Sequence, residues 1–125
     1  MDMRMRFASI FVTDEDKAID FYVNKLGFEL LMDNPTPFGG RFLAFQPSGG
    51  GTWLVASRPI PGILGQAGDR TNISWETDDL DGTYERLKAK GVEFTEPPRK
   101  QPWGGAEARF IDQDGNSFLL QQGGY

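Results

Sequence analysis

The hydrophobic pattern of this chain breaks into short segments, each punctuated by turn or cap residues. Met5–Val12 concentrates β-branched and aromatic types and predicts a strand. Thr13-Asp14-Glu15-Asp16 follows, with Thr13 or Asp14 suited to an N-cap and acids suited to the first helical turn. Ala18, Ile19, Phe21, Tyr22 and Leu26 then lie at helical spacing, and Gly27 ends the helix as a C′ glycine. Phe28–Met32 predicts a second strand and Asp33–Pro37 a loop. Arg41–Gln46 and Thr52–Ser57 predict two more strands around the turn Pro47–Gly51. That glycine-rich turn precedes a strand, whereas a phosphate cradle needs a helix N-terminus behind it. Residues 58–70 hold prolines and glycines and predict a crossover loop.

The second half repeats the plan. Asn72–Glu76 predicts a strand, Thr77–Leu80 a helix start, and Tyr84 and Leu87 the buried face of that helix. Gly91 ends it, Val92–Thr95 predicts a strand, and Glu96-Pro97-Pro98 opens a loop running to Gly105. Glu107–Ile111 and Ser117–Gln121 predict a closing hairpin around Asp112–Asn116, with Asp-Gly at its tip. At a shift of 64 residues Thr13-Asp14 meets Thr77-Asp78, Gly27 meets Gly91 and Glu29 meets Glu93. Those identities fall at cap, helix stop and following strand, which points to an internal duplication. One half would be a small sheet with one helix, too little for a sizeable core; two together make one domain. The modules span about 5–58 and 70–122.

Composition narrows the chemistry. A hydrophobic fraction of 38% with 10 Phe fits a globular rather than a disordered chain. No cysteine is present, which excludes disulfides, thiolate metal sites and a cysteine nucleophile. No histidine is present either, which removes the usual general base and the commonest metal ligand. Chemistry would have to run on carboxylates, Tyr, Lys, Arg or water. A net charge of −5 repels phosphate backbones, so nucleic acid is not an expected partner; the charge either simply keeps the chain in solution or also attracts cationic small molecules. No run is long and apolar enough for a membrane span, and no signal peptide follows Met1–Arg6, so a cytoplasmic location is expected.

Three motifs carry a resemblance. Val12-Thr13-Asp14 with Lys17–Tyr22 and Leu26-Gly27-Phe28, then Glu76–Leu80, then Phe110–Asn116, resemble in order and spacing the signatures of the vicinal oxygen chelate superfamily, the glyoxalase, bleomycin-resistance and extradiol dioxygenase type. The resemblance covers essentially the whole chain. It implies an α+β fold of two βαβββ modules, a curved mixed sheet around a concave cleft often closed by a second subunit, hence a homodimer. Members include metal-dependent lyases and dioxygenases as well as binding proteins that do no chemistry, so the fold does not choose the function.

The resemblance also implies four metal-ligand positions, one on each of four strands. They fall on Phe7, on Leu54 or Val55, on Asn72 and on Leu119. No Asp, Glu or His occurs between residues 42 and 68, so no shift of alignment supplies a second ligand there. Three apolar residues and a neutral amide do not make a Lewis-acid site, and neither metal nor other cofactor is expected. Asp112 and Asp114 lie nearby but read as turn residues. Strand alternation predicts a pocket lining instead: Phe7, Ser9 and Phe11; Trp53, Val55 and Ser57; Asn72, Ser74 and Glu76; Leu119, Gln121 and Ser117. Phe7 and Phe11 fit a core role equally well, and Trp75 falls on the opposite face, as core. Trp103 has no periodic reason to occupy its loop and is a candidate for ligand stacking or for a subunit interface.

These residues favour a metal-independent small-molecule-binding protein, one that sequesters a planar or cationic compound. The alternative is a lyase or dioxygenase with an atypical site. In a metal-free form of it, Glu76 would act as general base if burial raised its pKa, and Arg41 or Arg58 would hold an anionic substrate.

Overall fold

The computed structural model describes residues 2–37, 39–60 and 66–123. It divides into two compact units, Met1–Gly68 and Asp69–Tyr125, each built as βαβββ around its own four-stranded mixed sheet; neither sheet is closed. Part of the expected crossover loop, residues 61–65, lies outside the described residues.

In the first unit, β1 (Phe7–Phe11) leads into α1 (Glu15–Ile19), which continues as a π-helical turn over Asp20–Lys25. β2 (Glu29–Pro35), β3 (Arg41–Gln46) and β4 (Trp53–Ser57) follow, in the sheet order β1-β4-β3-β2. β1 and β4 run parallel and the other pairs antiparallel. One face of the sheet packs on the helix. Ile10, Leu43, Phe45, Leu54 and Ala56 are buried there with Ala18, Phe21 and Tyr22, and the Tyr22 and Phe45 rings lie 5.1 Å apart.

The second unit repeats this order. β5 (Arg70–Glu76), α2 (Leu80–Ala89), β6 (Glu93–Lys100), β7 (Ala106–Ile111) and β8 (Ser117–Gln122) give the sheet β5-β8-β7-β6. Leu80, Ala108, Phe110, Phe118 and Leu120 are buried. Phe94, Phe110 and Phe118 form a chain of rings 5.7 and 5.4 Å apart, with Trp75 5.8 Å from Phe118. Trp75 is therefore core, as alternation requires.

The duplication is real in topology but slips by one residue at the caps. Asp14 caps α1, its carboxylate accepting from the Lys17 backbone N–H. The matching cap of α2 is Asp79, which accepts from Gly82, so Asp14 corresponds to Asp79 and not to Asp78. The helix-ending glycines still match at the shift of 64, at φ of 79° for Gly27 and 91° for Gly91. The π-helical turn absorbs the difference, because it places one extra residue between cap and glycine in the first half. Leu26 N–H accordingly donates to Phe21 O, five residues back.

Two strands run on by three residues or more beyond their expected ends. β2 runs on to Pro35, three residues past Met32. β6 runs from Glu93 to Lys100 through both prolines, where the sequence suggested a loop from Glu96. β6 is an edge strand, so Pro97 and Pro98 have no ladder partner to lose on their outer side. The register shifts at Phe94/Glu96 and Glu96/Arg99 mark how the strand accommodates them.

Candidate functional site

Each sheet has one face turned away from its helix, and the pairing registers fix which side chains share it. In β1 and β4, Phe7 lies beside Trp53, Ser9 beside Val55 and Phe11 beside Ser57. Partners directly opposite in a ladder point to the same side, so these six expected residues do occupy one face. β3 adds Ala44, paired with Val55, and its neighbours by alternation Phe42 and Gln46. β2 adds Met32 and Asn34, paired with Ala44 and Phe42.

This face is aromatic and largely open. Phe7 is 45% exposed, and Phe11, Trp53 and Phe42 are half-buried. Val55 and Ala44 are buried at its centre, so Val55 offers a ligand little surface. The Trp53 ring is held in place: its Nε1–H donates to Gln46 Oε1 at 3.1 Å, and the Arg6 guanidinium carbon sits 4.9 Å from its centroid. Gln46, Phe42 and Arg6 were not singled out from the sequence. Alternation along β3 places Gln46 and Phe42, whereas only the fold brings Arg6 over Trp53.

The corresponding face of the second sheet is polar. Ser74 lies beside Leu119 and Glu76 beside Gln121. β7 adds Glu107 opposite Gln121 and Arg109 opposite Leu119, and β6 adds Glu96 opposite Arg109. Arg109 Nε and Glu96 Oε2 are 3.7 Å apart. Asn72 does not belong to this regular row. It has a φ of 60°, and pairing jumps from Arg70–Ser117 to Ser74–Leu119, so β5 bulges at Asn72. Thr71 ties the bulge down, its hydroxyl donating to Ser117 O and accepting from Ile73 N–H. Alternation cannot carry the facing of Ser74 and Glu76 back to Asn72 across such a bulge. Trp103 stands apart, 55% exposed in the β6–β7 turn that Gln101 N–H closes on Gly105 O.

The expected auxiliary roles of Glu76, Arg41 and Arg58 find no support in the geometry. Glu76 is exposed, so the burial that its role as general base would require is missing. Both arginines lie on the helix-covered face of the first sheet, opposite the aromatic one, and both are engaged. Arg41 grips Asp33 through Nε and Nη2, each at 2.9 Å, and reaches Asp16 through Nη1 at 2.9 Å. These bonds hold the Asp33 carboxyl below its ordinary range and raise the Arg41 pKa further. Arg58 Nη2 donates to Glu15 Oε1 at 2.9 Å.

Glu15 is a further residue whose role the sequence concealed. It is only 2% exposed, and its second oxygen accepts from the Arg41 backbone N–H at 2.9 Å. Burial pushes its carboxyl up, but the Arg58 bond and the backbone donors of Glu15 and Arg41 outweigh that and hold it below the ordinary value. In the sequence it is merely an acid in a first helical turn. Asp112 is likewise buried and structural. It accepts from the Asp114 and Asn116 backbone N–H groups and from Asn116 Nδ2, closing the β7–β8 turn.

Phe7, Val55, Asn72 and Leu119 do not fit a divalent cation, because the set offers one neutral amide oxygen and places it on a bulge. Among the described residues no group of three or more His, Cys, Asp or Glu is placed to hold a metal ion. Nor, among them, is any helix long and apolar enough to cross a membrane.

Comparison with known proteins adds a family. The family model of the Glyoxalase/Bleomycin resistance protein/Dioxygenase superfamily matches residues 4–120. The chain is 36% identical over 114 residues to the uncharacterized protein YetH of Bacillus subtilis (strain 168), covering 91% of this chain and 93% of that one. Among solved structures, a member of the same superfamily from Sphaerobacter thermophilus DSM 20745 superposes with a TM-score of 0.87 at 39% identity, covering 98% of both chains. TnmS3, an antibiotic binding protein from Streptomyces sp. CB03234, superposes with a TM-score of 0.84 at 37% identity, covering 97% of this chain and 96% of that one.

Proposed function

Because the chain belongs to the glyoxalase/bleomycin resistance protein/dioxygenase superfamily, where family alone does not choose between catalysis and binding, we propose that it is a metal-independent small-molecule-binding protein. It sequesters a planar or cationic compound, as a cytoplasmic homodimer. The observation that carries this reading is the open aromatic face of β1, β4 and β3. There Phe7, Phe11, Phe42 and a pinned Trp53 stand among Ser9, Ser57 and Gln46. Such a surface, apolar with a few orienting polar groups, has the character of a small-molecule site. Each aromatic contact is worth roughly 0.5–1.5 kcal/mol, so three or four give useful affinity without any catalytic group. The net charge of −5 adds long-range attraction for cations. The likeness to an antibiotic binding protein supports the same reading. Ser74, Glu76, Leu119 and Gln121 are proposed as ligand contacts on the second unit's own polar face, Asn72 as one on its bulge and Trp103 as one in its β6–β7 turn.

Titration of tryptophan fluorescence with a panel of planar and cationic compounds, bleomycin-like glycopeptides among them, tests the proposal. Saturable quenching that Trp53→Phe diminishes is expected, and no response across the panel would refute it. Metal analysis of purified protein tests metal independence, which a stoichiometric content of Ni, Zn, Fe or Mn would overturn. Light scattering tests the dimer.

A further inference from the structure

Among the described residues, Arg6 is a fully charged side chain seated on the aromatic face. The backbone around it is anchored, since Trp53 N–H donates to Arg6 O at 3.1 Å and Thr52 Oγ1 donates to Met5 O at 3.2 Å. Its guanidinium lies over the Trp53 ring at 4.9 Å, and Gln46 holds that ring by its Nε1–H. A guanidinium carries five N–H donors in a planar fork, more than one ring contact can use, which suits it to a planar acceptor. None of the ion pairs among the described residues uses Arg6, in contrast to Arg41 and Arg58. The sequence offers it no acid from β3 or β4 either, because residues 42–68 contain no Asp or Glu.

From this we infer that Arg6 sets the specificity of the face, selecting a planar aromatic compound that carries an acidic group, a carboxylate or a phenolate, at one edge. The inference rests on the binding reading above and narrows it. A flat ring system lies against Phe7, the direct ladder neighbour of Trp53, and its acidic edge meets the guanidinium that sits over the Trp53 ring. A cationic compound on the same ring would meet like charge instead, so the attraction of the chain's net charge for cations does not decide binding here. A face carrying only aromatic and neutral polar groups would not distinguish acid from alcohol; a guanidinium that no described acid pairs does.

Calorimetric titration with three probes that share one ring system tests this: anthracene-9-carboxylate, 9-anthracenemethanol and protonated 9-(aminomethyl)anthracene. The carboxylate is expected to bind about five- to tenfold more tightly than the alcohol, the gain of one partly exposed, charge-assisted contact. Arg6→Ala should erase that gain, so that in the variant the carboxylate binds no better than the alcohol. Arg6→Lys, which keeps the charge without the planar fork, should restore only part of it. Trp53→Phe should weaken all three. A carboxylate that binds no better than the alcohol, or an Arg6→Ala variant that weakens all three probes alike, overturns the assignment to Arg6 while leaving the binding reading intact. If none of the three binds while a compound of the wider panel does, this inference falls and the binding reading stands; if nothing in either set binds, both fall.

Discussion

Removing the Glu15 carboxylate tests how the first unit holds its helix to its sheet. Both oxygens are used, one by Arg58 Nη2 and one by the Arg41 backbone N–H, each at 2.9 Å. Glu15→Ala leaves the Arg41 N–H without its acceptor in a partly buried place, which costs roughly 1–3 kcal/mol. It also removes a charge-assisted bond to Arg58. Arg58 is 53% exposed and can turn to water, so that loss adds only about 1 kcal/mol. The expected cost is about 2–4 kcal/mol, a large share of the 5–15 kcal/mol typical of a whole domain. Glu15→Gln is the sharper variant, because an amide has one acceptor where the carboxylate has two. One of the two donors must then face an NH2 group, so a cost of about 1–2 kcal/mol is expected.

The pH dependence follows from the sign of the pKa shift. Glu15 is held below its ordinary value of 4.5 in the folded chain. Its contribution is therefore fully present above about pH 4.5 and is lost as pH falls through the lower folded value. Glu15→Gln cannot titrate. Urea unfolding followed by circular dichroism at pH 7 and at successive steps below pH 5 should show the gap between the two proteins narrowing with acid. A gap that stays constant down to pH 3, or a Glu15→Ala variant within 0.5 kcal/mol of the parent at pH 7 (roughly the scatter of surface substitutions), would refute the reasoning.

Three further variants probe the backbone and the turn. Gly40 has a φ of 79°, and a Cβ there would stand 2.7 Å from Glu15 Oε2, so Gly40→Ala should cost about 1–3 kcal/mol in urea unfolding and disturb the same carboxylate. Asn72→Val should destabilise by about 1–2 kcal/mol despite the high strand propensity of valine, because a β-branched residue resists a φ of 60°; a higher midpoint of thermal unfolding would contradict the bulge. Asn116→Ala removes the Nδ2 donor to buried Asp112 and should lower stability by about 1–2 kcal/mol, read from the same melts.

How much of this was legible in the sequence depended on whether the signal was local. Strands and caps are local. The helix-ending glycines, the Asp-Gly turn and the alternation of Phe7, Ser9 and Phe11 all survive into the structure because each follows from residues a few positions apart. The reading failed where a neighbouring strand decides. Pro97 and Pro98 look like a strand end until β6 is known to be an edge. Asn72 looks like a strand residue until its pairing with β8 shows the bulge. The one-residue slip between the caps is invisible without the π-helical turn, since the identity of Asp14 and Asp78 is a false match created by two adjacent aspartates.

The same distinction explains the candidate site. Its hydrophobic members were readable because alternation assigns a whole row of side chains to one face once any of them is placed. Its charged members were not, because an arginine's partner is chosen by the fold. Arg41 and Arg58 look available to a substrate in sequence, yet one step of strand alternation puts them on the helix side, where Asp33, Asp16 and Glu15 take them up. Arg6, which no local pattern marks, sits over the ring that defines the opposite face. Charge on this scaffold is thus sorted by side. Acids drawn from the helix and from β2 neutralise the two arginines on the covered face, while the acid-free stretch from residue 42 to 68 leaves none to neutralise Arg6 on the open one. The absence of acids that keeps a carboxylate ligand off β4 is therefore the same feature that gives Arg6 no ion-pair partner from β3 or β4.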